Sequence, residues 1–246
     1  MSLFVIADLH LSTDSATNKS MEVFGSRWTD YTSKIKKNWN SIVTENDTVI
    51  VPGDISWALR LEEATSDLAF IDKLNGKKFL GKGNHDFWWT TNKKMNAFFQ
   101  KSGFNTLEIL HNNAFIAEDT IICGTRGWFP DESQQTAVNN ADYDKIINRE
   151  VGRLKISLDA ARTLRNEYEK ENGVKLPILV FLHFPPVRGE YCIRELVDVL
   201  KAYEIENVYY GHIHNSYDTP RSFTFENIKY TIVSSDFLNF YPLKIH

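Results

Sequence analysis

Short apolar runs alternate along this chain with longer segments whose apolar residues recur every three or four positions. The short runs are rich in β-branched and aromatic residues and end at turn residues, which predicts strands. The longer pattern places apolar residues on one face of a helix. The predicted strands are Leu3–Ala7, Thr48–Pro52, Lys78–Leu80, Ala114–Ala117, Thr120–Gly124, Ile178–Leu182, Asn207–Tyr210 and Tyr230–Ser234. The predicted helices are Tyr31–Thr44, Leu61–Leu74, Thr91–Lys101, Asp142–Lys170 and Arg194–Tyr203.

The alternation of strands and helices predicts an α/β fold in a single domain that spans residues 1–246. The predicted strand Ile178–Leu182 is apolar at every position, which is typical of a sheet covered on both faces. In such sheets, ligands bind at the carboxyl ends of the strands. Polar residues that follow the predicted strands are therefore the first candidates for a functional site.

The longest helical segment allows two interpretations. Ile147, Val151, Leu154 and Leu158 recur at steps of four, three and four, which predicts one apolar face packed on the core. Alternatively, the region at about 128–172 is a mainly helical insertion that caps the site, because it lies between the two halves of the chain that carry polar motifs.

Polar motifs follow five of the predicted strands, and five of the seven histidines lie in them. In an extended chain, residues i and i+2 point the same way, so Asp8 and His10 can face one point, and so can His212 and His214. The motifs are Asp8-Leu9-His10, Gly53-Asp54, Gly83-Asn84-His85-Asp86, His183 and Gly211-His212-Ile213-His214.

These motifs supply the donor atoms of a metal site, because imidazole nitrogens, carboxylate oxygens and amide oxygens bind borderline and hard divalent metals. Seven ligands exceed what one ion needs, and a bridging carboxylate would give each of two ions four protein ligands and open positions for water and substrate. Two divalent ions would favour an anionic phosphate ester, with a metal-bridging hydroxide as the nucleophile. The predicted ligands are Asp8, His10, Asp54, Asn84, His183, His212 and His214.

Composition narrows the list of partners. The formal net charge is −4 and no dense run of Lys and Arg is present, so charge gives no support for a nucleic-acid backbone or an anionic membrane as partner. Two cysteines without a pairing pattern suit a reducing compartment. No apolar stretch approaches the roughly 20 residues of a membrane span, and no signal peptide is evident. We therefore expect a soluble, cytoplasmic protein.

The order of the motifs from Asp8 to His214 resembles the calcineurin-like metallophosphoesterase superfamily. The resemblance implies a two-sheet β-sandwich flanked by helices, in four layers, with two metal ions at the strand ends. It implies that one ion is held by Asp8, His10, Asp54 and His214. It implies that the other is held by Asp54, Asn84, His183 and His212, with Asp54 bridging. His85 resembles the catalytic histidine of the family, and we assign Asp86 the role of orienting it.

The sequence departs from the Ser/Thr protein phosphatase branch, which has Gly-Asp-x-Val-Asp-Arg-Gly. Here Ala58 stands in place of the phosphate-clamping Arg, and the second Asp is also missing. The nearer resemblance is to bacterial members of unassigned substrate. We therefore expect phosphodiesters to be favoured over phosphoproteins, with a nucleotide or another small molecule as substrate. Trp57, Arg60 and Arg126 are the candidate substrate-binding residues because they neighbour the strand ends.

Three other functions were weighed against a phosphodiesterase. A phosphomonoesterase would use the same ligand set, and a catalytically weak metal-binding scaffold would be expected to have lost some of the ligands. Hydrolases of carbon–nitrogen bonds usually open with His-x-His, whereas this chain opens with Asp8-Leu9-His10. The complete ligand set favours an enzyme. The expected cofactors are two divalent ions, with manganese, iron or zinc as the candidates.

Overall fold

The computed structural model describes residues 1–13, 19–128 and 140–246. One sheet has five strands in the order β13-β1-β2-β3-β4, all parallel except β13, which pairs antiparallel with β1. These strands are β1 (Leu3–Val5), β2 (Thr48–Val51), β3 (Lys77–Leu80), β4 (Leu107–Ile109) and β13 (Leu243–Lys244).

The second sheet has six strands in the order β11-β12-β10-β7-β6-β5, with parallel pairing from β12 through β10 and β7 to β6. Its strands are β5 (Asn113–Ala117), β6 (Thr120–Thr125), β7 (Ile178–Leu182), β10 (Asn207–Tyr210), β11 (Ser222–Phe225) and β12 (Ile228–Ile232). A separate hairpin contains β8 (Val187–Arg188) and β9 (Tyr191–Cys192).

Five α-helices are described, and each corresponds to a predicted helix. They are α1 (Tyr31–Ile42), α2 (Thr65–Asp72), α3 (Asn92–Ser102), α4 (Asn140–Asn172) and α5 (Arg194–Ala202). Two short 3₁₀ helices precede α1, at Met21–Phe24 and Ser26–Trp28. On α1, the buried residues Tyr31, Ile35 and Trp39 recur at steps of four and form the face that packs on the core.

The two sheets face each other, because the side chains of one strand alternate between two apolar cores. On β7, Leu179 and Phe181 join the core that contains the first sheet. Val180 and Leu182 join the core on the opposite face of the second sheet. The predicted two-sheet sandwich, in which a sheet is buried on both faces and flanked by helices, is confirmed.

The apolar face of α4 packs on the outer side of the second sheet. Its residues Ile147, Leu154 and Leu158 are buried in the same core as Ile121 on β6 and Val180 on β7. Residues 129–139, within the region predicted to cap the site, lie outside the described residues. The cap therefore stays a prediction.

The ends of the parallel strands of both sheets meet along one edge of the sandwich. Just beyond β1, the amide of Ala7 donates to the carbonyl of Val233 at 2.7 Å, and the carbonyl of Ala7 accepts from the amide of Ser235 at 2.9 Å. These bonds join the end of β1 in the first sheet to the end of β12 in the second. The segments that follow the strands are therefore brought together from both sheets.

Candidate metal centre

Four of the predicted ligands have left-handed backbone conformations. The φ angles are 60° at Asp8, 45° at His10, 52° at Asp54 and 67° at His212. Non-glycine residues rarely adopt this region, and such strain clusters at functional sites. Hydrogen bonds between the loops stabilise this backbone conformation. The amide of Asp8 donates to the carbonyl of Gly53 at 3.0 Å, and the amide of His10 donates to the carbonyl of Asp54 at 2.9 Å.

Two glycines leave room for the ligand carboxylates. A Cβ added at Gly83 would lie 2.0 Å from Oδ1 of Asp54, and one added at Gly211 would lie 2.5 Å from Oδ2 of Asp8. Real Cβ atoms do not approach oxygen this closely, so any side chain at either position would displace a carboxylate. The glycines of two sequence motifs are thus explained by close approach to a ligand.

One group of donor atoms contains Asp8, His10 and His214, whose candidate ligand atoms all lie within 4.8 Å of one another. The Nε2 atoms of His10 and His214 are 3.1 Å apart, and Nε2 of His214 is 3.9 Å from Oδ1 of Asp8. Asp8 is fully buried and its carboxylate also accepts from the amide of His212 at 2.9 and 3.0 Å.

A second group contains Asp54, His183 and His212, again within 4.8 Å. The side-chain oxygen of Asn84 lies between the two imidazoles, 2.7 Å from Nε2 of His183 and 3.1 Å from Nδ1 of His212. The two groups contain six of the seven predicted ligands, with Asp54 in the second group alone and Asn84 beside it; the assignment of these residues to two ions stays a prediction.

The carboxylate of Asp54 faces both groups. Its Oδ2 is 3.4 Å from Nε2 of His183 and 3.6 Å from Nε2 of His10. Its Oδ1 accepts from the amide of His85 at 2.8 Å. One carboxylate oxygen therefore lies between an imidazole of the first group and an imidazole of the second.

The electrostatics of this cluster suit a cation. Burial raises the pKa of Asp8 to about 6, and burial together with the charges of Asp86 and Asp8 raises the pKa of Asp54 well above its usual value. Burial and the neighbouring imidazoles lower the pKa of His10 and His183 well below theirs. Neutral imidazoles and carboxylates that need a counter-charge are the donor set that divalent ions bind, so these residues fit two metal ions.

Two histidines are oriented by a second hydrogen bond, as is common for metal ligands. His183 places Nδ1 3.2 Å from the carbonyl of Pro52, which leaves Nε2 for the second group. His214 places Nδ1 2.9 Å from Oδ1 of Asp236. Burial opposes protonation of His214, but the Asp236 carboxylate and Asp8 outweigh it, and the net shift raises the pKa of His214.

Asp236 was missed by the sequence analysis. Its other oxygen accepts from the amide of Asn215 at 3.1 Å and from the hydroxyl of Tyr217 at 2.9 Å. The available signal was its position four residues after β12, because the other candidate ligands also follow parallel strands. It was overlooked because no recognised motif surrounds it.

Asp86 accepts hydrogen bonds from the loops that carry the ligands. Its carboxylate is bonded by the amides of Gly83, Asp54, Ile55 and Ser56 at 2.8, 2.9, 2.8 and 3.2 Å. The indole of Trp88 donates to it at 3.0 Å. These hydrogen bonds connect the loop after β2 to the loop after β3, so Asp86 fixes the position of Asp54 relative to Asn84. The orientation of His85 by Asp86 stays a prediction.

The ring of His85 lies among aromatic side chains at the site. Its centroid is 4.4 Å from that of Trp57 and 5.5 Å from that of His10. Trp57 is itself stacked on His10 at 4.9 Å, with 25° between the planes. Trp88 and Trp89 are buried, which places them in the core.

The three predicted substrate-binding residues lie in different surroundings. Trp57 lies against a ligand imidazole, as described above. Arg126 is half-buried, with Nη2 3.8 Å from Oε1 of Glu150 and its guanidinium 5.8 Å from the ring centroid of Phe184. Arg60 is largely exposed, with Nε 4.0 Å from Oε1 of Glu63. Their contact with substrate stays a prediction.

Comparison with known proteins identifies the family and supports the fold. The family model of calcineurin-like phosphoesterases matches residues 1–216. A phosphopantetheinyl hydrolase from Mycobacterium tuberculosis is similar in structure, with 15% identity, coverage of 99% of this chain and 95% of that one, and a TM-score of 0.54. A protein from Thermus thermophilus is similar with 9% identity, coverage of 96% and 89%, and a TM-score of 0.58. No curated protein matches the chain.

The fold and the family match define a metal-dependent phosphoesterase, which hydrolyses phosphate esters. The chain belongs to the calcineurin-like phosphoesterase family. None of the helices within the described residues is long and apolar enough to cross a membrane.

Proposed function

We propose that this enzyme works with two divalent metal ions and favours phosphodiesters over phosphoproteins. The observation that carries the two-ion proposal is the position of Oδ2 of Asp54, 3.4 Å from Nε2 of His183 and 3.6 Å from Nε2 of His10. A carboxylate oxygen that faces both ligand groups is suited to bridge two ions. Histidine and carboxylate ligands suit manganese, iron or zinc, and availability decides between them.

The chain itself holds and orients the reacting groups. When bound, the ions would polarise the phosphoryl oxygens and supply hydroxide from water at neutral pH. Pro52 and Asp236 fix the ring nitrogens of His183 and His214 that face the ligand groups. Asp86 ties the loop of Asp54 to the loop of Asn84 through its bonds to backbone amides.

His85 is the proposed proton donor to the leaving-group oxygen. Its amide is bonded to Asp54 at 2.8 Å, so the ring is held next to the centre without being one of the grouped ligands. Burial, with the charges of His214 and Lys19, lowers the pKa of His85 in the protein alone. A phosphate anion beside the ring would oppose this shift, because an opposite charge favours the imidazolium form. Loss of a general acid typically costs about 10²- to 10⁴-fold in rate.

The two-ion proposal is tested by metal analysis of the reconstituted protein together with turnover of bis(p-nitrophenyl) phosphate. Wild type is expected to bind two ions per chain and to lose activity on chelation. Asp54→Asn is expected to weaken the binding of both ions, whereas His10→Ala is expected to weaken the binding of one. Full activity with a single ion, or equal metal loss in the two variants, would contradict a bridging role for Asp54.

The substrate preference rests on Ala58, which is buried and leaves no cation at the position of the protein-phosphatase clamp. A diester carries one negative charge fewer than a monoester dianion and depends less on such a clamp. The kcat/KM for bis(p-nitrophenyl) phosphate and for a cyclic nucleotide should therefore exceed the kcat/KM for p-nitrophenyl phosphate and for a phosphopeptide. Preference for the phosphopeptide would refute this choice, and preference for p-nitrophenyl phosphate would favour a phosphomonoesterase. Metal binding without turnover of any ester would favour a scaffold.

A further inference from the structure

A cavity of about 320 Å³ lies beside the loops that present the candidate ligands and is lined by cationic side chains. Lys82 precedes the candidate ligand Asn84 by two residues, which is at most about 7 Å of chain. The carbonyl of Arg126 accepts from the amide of the candidate ligand His183 at 3.1 Å. The cavity is therefore built from the same loops that present the ligands, together with α4.

The cavity has an excess of positive charge. Lys82, Arg126, Arg149 and Arg153 line it, and the only carboxylate among the described lining residues is Glu150. Glu150 is buried and forms ion pairs with Arg153 and, at 3.8 Å, with Arg126. Within the described part of the chain, no salt bridge engages Lys82 or Arg149. Neither cation thus has a carboxylate within ion-pair distance there, although Asp86 and Glu150 act on Lys82, and Glu150 on Arg149, at longer range.

Buried polar atoms in the cavity wall also lack partners. Nδ1 of His111 and Nε1 of Trp128 are buried without a hydrogen-bond partner among the described residues. Oε2 of Glu150 also lacks a partner there, but it is an acceptor that a phosphate would not satisfy. Such atoms are rare in folded proteins, because an unpaired buried polar group is unfavourable. Burial and the charges of Lys82, Arg153 and Arg126 lower the pKa of His111 to about 3, so the ring is neutral and can donate one N–H.

These observations describe a place for an anion that accepts several hydrogen bonds. A phosphate group fits, because it has up to two negative charges and accepts from guanidinium, ammonium, indole and imidazole donors. We propose that this cavity binds a second phosphate group of the substrate, while the first is hydrolysed at the metal centre. The substrate class is a phosphate ester that carries a second phosphate, because Lys82 and Arg126 belong to the loops that also present Asn84 and His183. This proposal rests on the proposed function.

Binding of inorganic phosphate to the metal-free protein, measured by calorimetry, tests the cavity alone. Without metal, the ligand groups lack the ions that would bind phosphate, so phosphate binding reports on the cationic cavity. Arg149→Gln and Lys82→Met should each weaken binding at least tenfold. Lys155→Gln is the matched control, because Lys155 is an exposed cation of the same helix outside this lining, and its affinity should equal that of wild type. No binding, or equal affinity in all four proteins, means an adventitious ion only and overturns the proposal.

Competition in the metal-loaded enzyme tests the link to the substrate. Adenosine 5′-monophosphate and adenosine 3′,5′-bisphosphate are compared as inhibitors of the hydrolysis of bis(p-nitrophenyl) phosphate. The inhibition constant of the bisphosphate should be at least tenfold lower, and Arg149→Gln should remove most of this difference while Lys155→Gln keeps it. Equal inhibition by the two nucleotides would overturn the second-phosphate assignment. If no ester is hydrolysed with any metal, the proposed function fails, and the assignment of a substrate phosphate fails with it. The calorimetry then decides separately whether the cavity is an anion site.

Discussion

Lys78 and Asp54 are both buried ionisable residues, one on a strand of the first sheet and one in a loop that follows such a strand, yet their surroundings differ. Lys78 lies on β3, and its Nζ donates to the carbonyls of Asp72, Leu74 and Gly76 at 3.1, 2.6 and 2.7 Å. Asp72 is the last residue of α2, so the ammonium binds carbonyls that a helix end and the following turn leave without partners. The protein itself satisfies this charge.

The metal centre is the opposite case. Oδ2 of Asp54 and the ring nitrogens of His10 and His183 face one another, and the two residue types shift their pKa values toward the neutral forms. Among the described residues, the ion-pair partners of Asp8 and Asp54 are histidines, and neither carboxylate forms a salt bridge with a Lys or an Arg. The Lys78 ammonium is satisfied by backbone carbonyls. The carboxylate and imidazole atoms of the metal centre converge on one another and are suited to bind a metal ion.

The comparison predicts that the largest change in stability comes from metal loading. At a free concentration about 1,000 times its Kd, each bound ion should add about 4 kcal/mol to the free energy of unfolding. Thermal and urea unfolding with and without manganese measure this gain. Lys78→Met should show the same gain, because the hydrogen bonds of Lys78 are made to residues that are not candidate ligands. A gain that disappears in Lys78→Met would mean that the two regions are coupled.

The next largest effect is expected from removal of the Lys78 ammonium. Lys78→Met leaves the carbonyls of Leu74 and Gly76 without their donor, while that of Asp72 keeps the Thr106 hydroxyl at 3.0 Å. The free energy of unfolding should fall by about 3 kcal/mol. Lys77→Met is the matched control on the same strand, since Lys77 is exposed and pairs with Glu108 at 3.5 Å. Its effect should stay within about 0.5 kcal/mol. Urea unfolding of the metal-free proteins gives both values, and similar losses in the two variants would refute the structural role of Lys78.

A smaller effect is expected from the carboxylate that orients His214. Asp236→Asn keeps an oxygen acceptor but removes the charge, and should weaken binding of one ion by about 10- to 100-fold. Asp198→Asn, an exposed carboxylate on α5 that pairs with Arg194, is the control and should leave metal affinity unchanged. Competition with a chelator measures both constants. An equal weakening of both ions would contradict the assignment of His214 to a single group.

The smallest effect, taken per pH unit, is the pH dependence of the Lys78 contribution. Burial lowers the pKa of Lys78 from 10.5 to about 8, so between these values the unfolded chain holds more protons than the folded protein. The free energy of unfolding of wild type minus that of Lys78→Met should therefore rise with pH in this window, by at most about 1.4 kcal/mol per unit. The subtraction removes the contributions of buried Tyr and Cys groups. A difference that is constant from pH 8 to 10 would show that the ammonium titrates alike in both states.

Much of the fold could be predicted because its central strands are continuous apolar runs. The bounds predicted for Ile178–Leu182 and Asn207–Tyr210 are those of β7 and β10. The strand β11 (Ser222–Phe225) was missed, because it lies at the edge of the second sheet and has little contrast between apolar and polar positions. The helix α2 is shorter than predicted, since Leu61 and its neighbours form turns before it.

The site was predictable where chemistry is repeated in sequence and not where it depends on packing. All seven predicted ligands follow strands, and the structure brings them to one edge. Asp86 belongs to a recognisable motif. Its hydrogen bonds come from backbone amides, which every residue except proline has, so the residue types do not reveal them. Asp236 could be noticed only as a polar residue shortly after a strand. Its pairing with His214 and the burial of Lys78 depend on which loops meet in three dimensions, which a single sequence does not reveal.

The joining of the two sheets at Ala7 has a consequence for the order of folding. His10 and His214 meet at 3.1 Å although 204 positions separate them along the chain. Contacts between residues so distant form late, because the entropy of closing the intervening loop must be overcome first. The first ligand group therefore does not exist until the second sheet has docked on the first. Metal uptake should be among the last events of folding, and during synthesis it cannot precede the emergence of His214 from the ribosome.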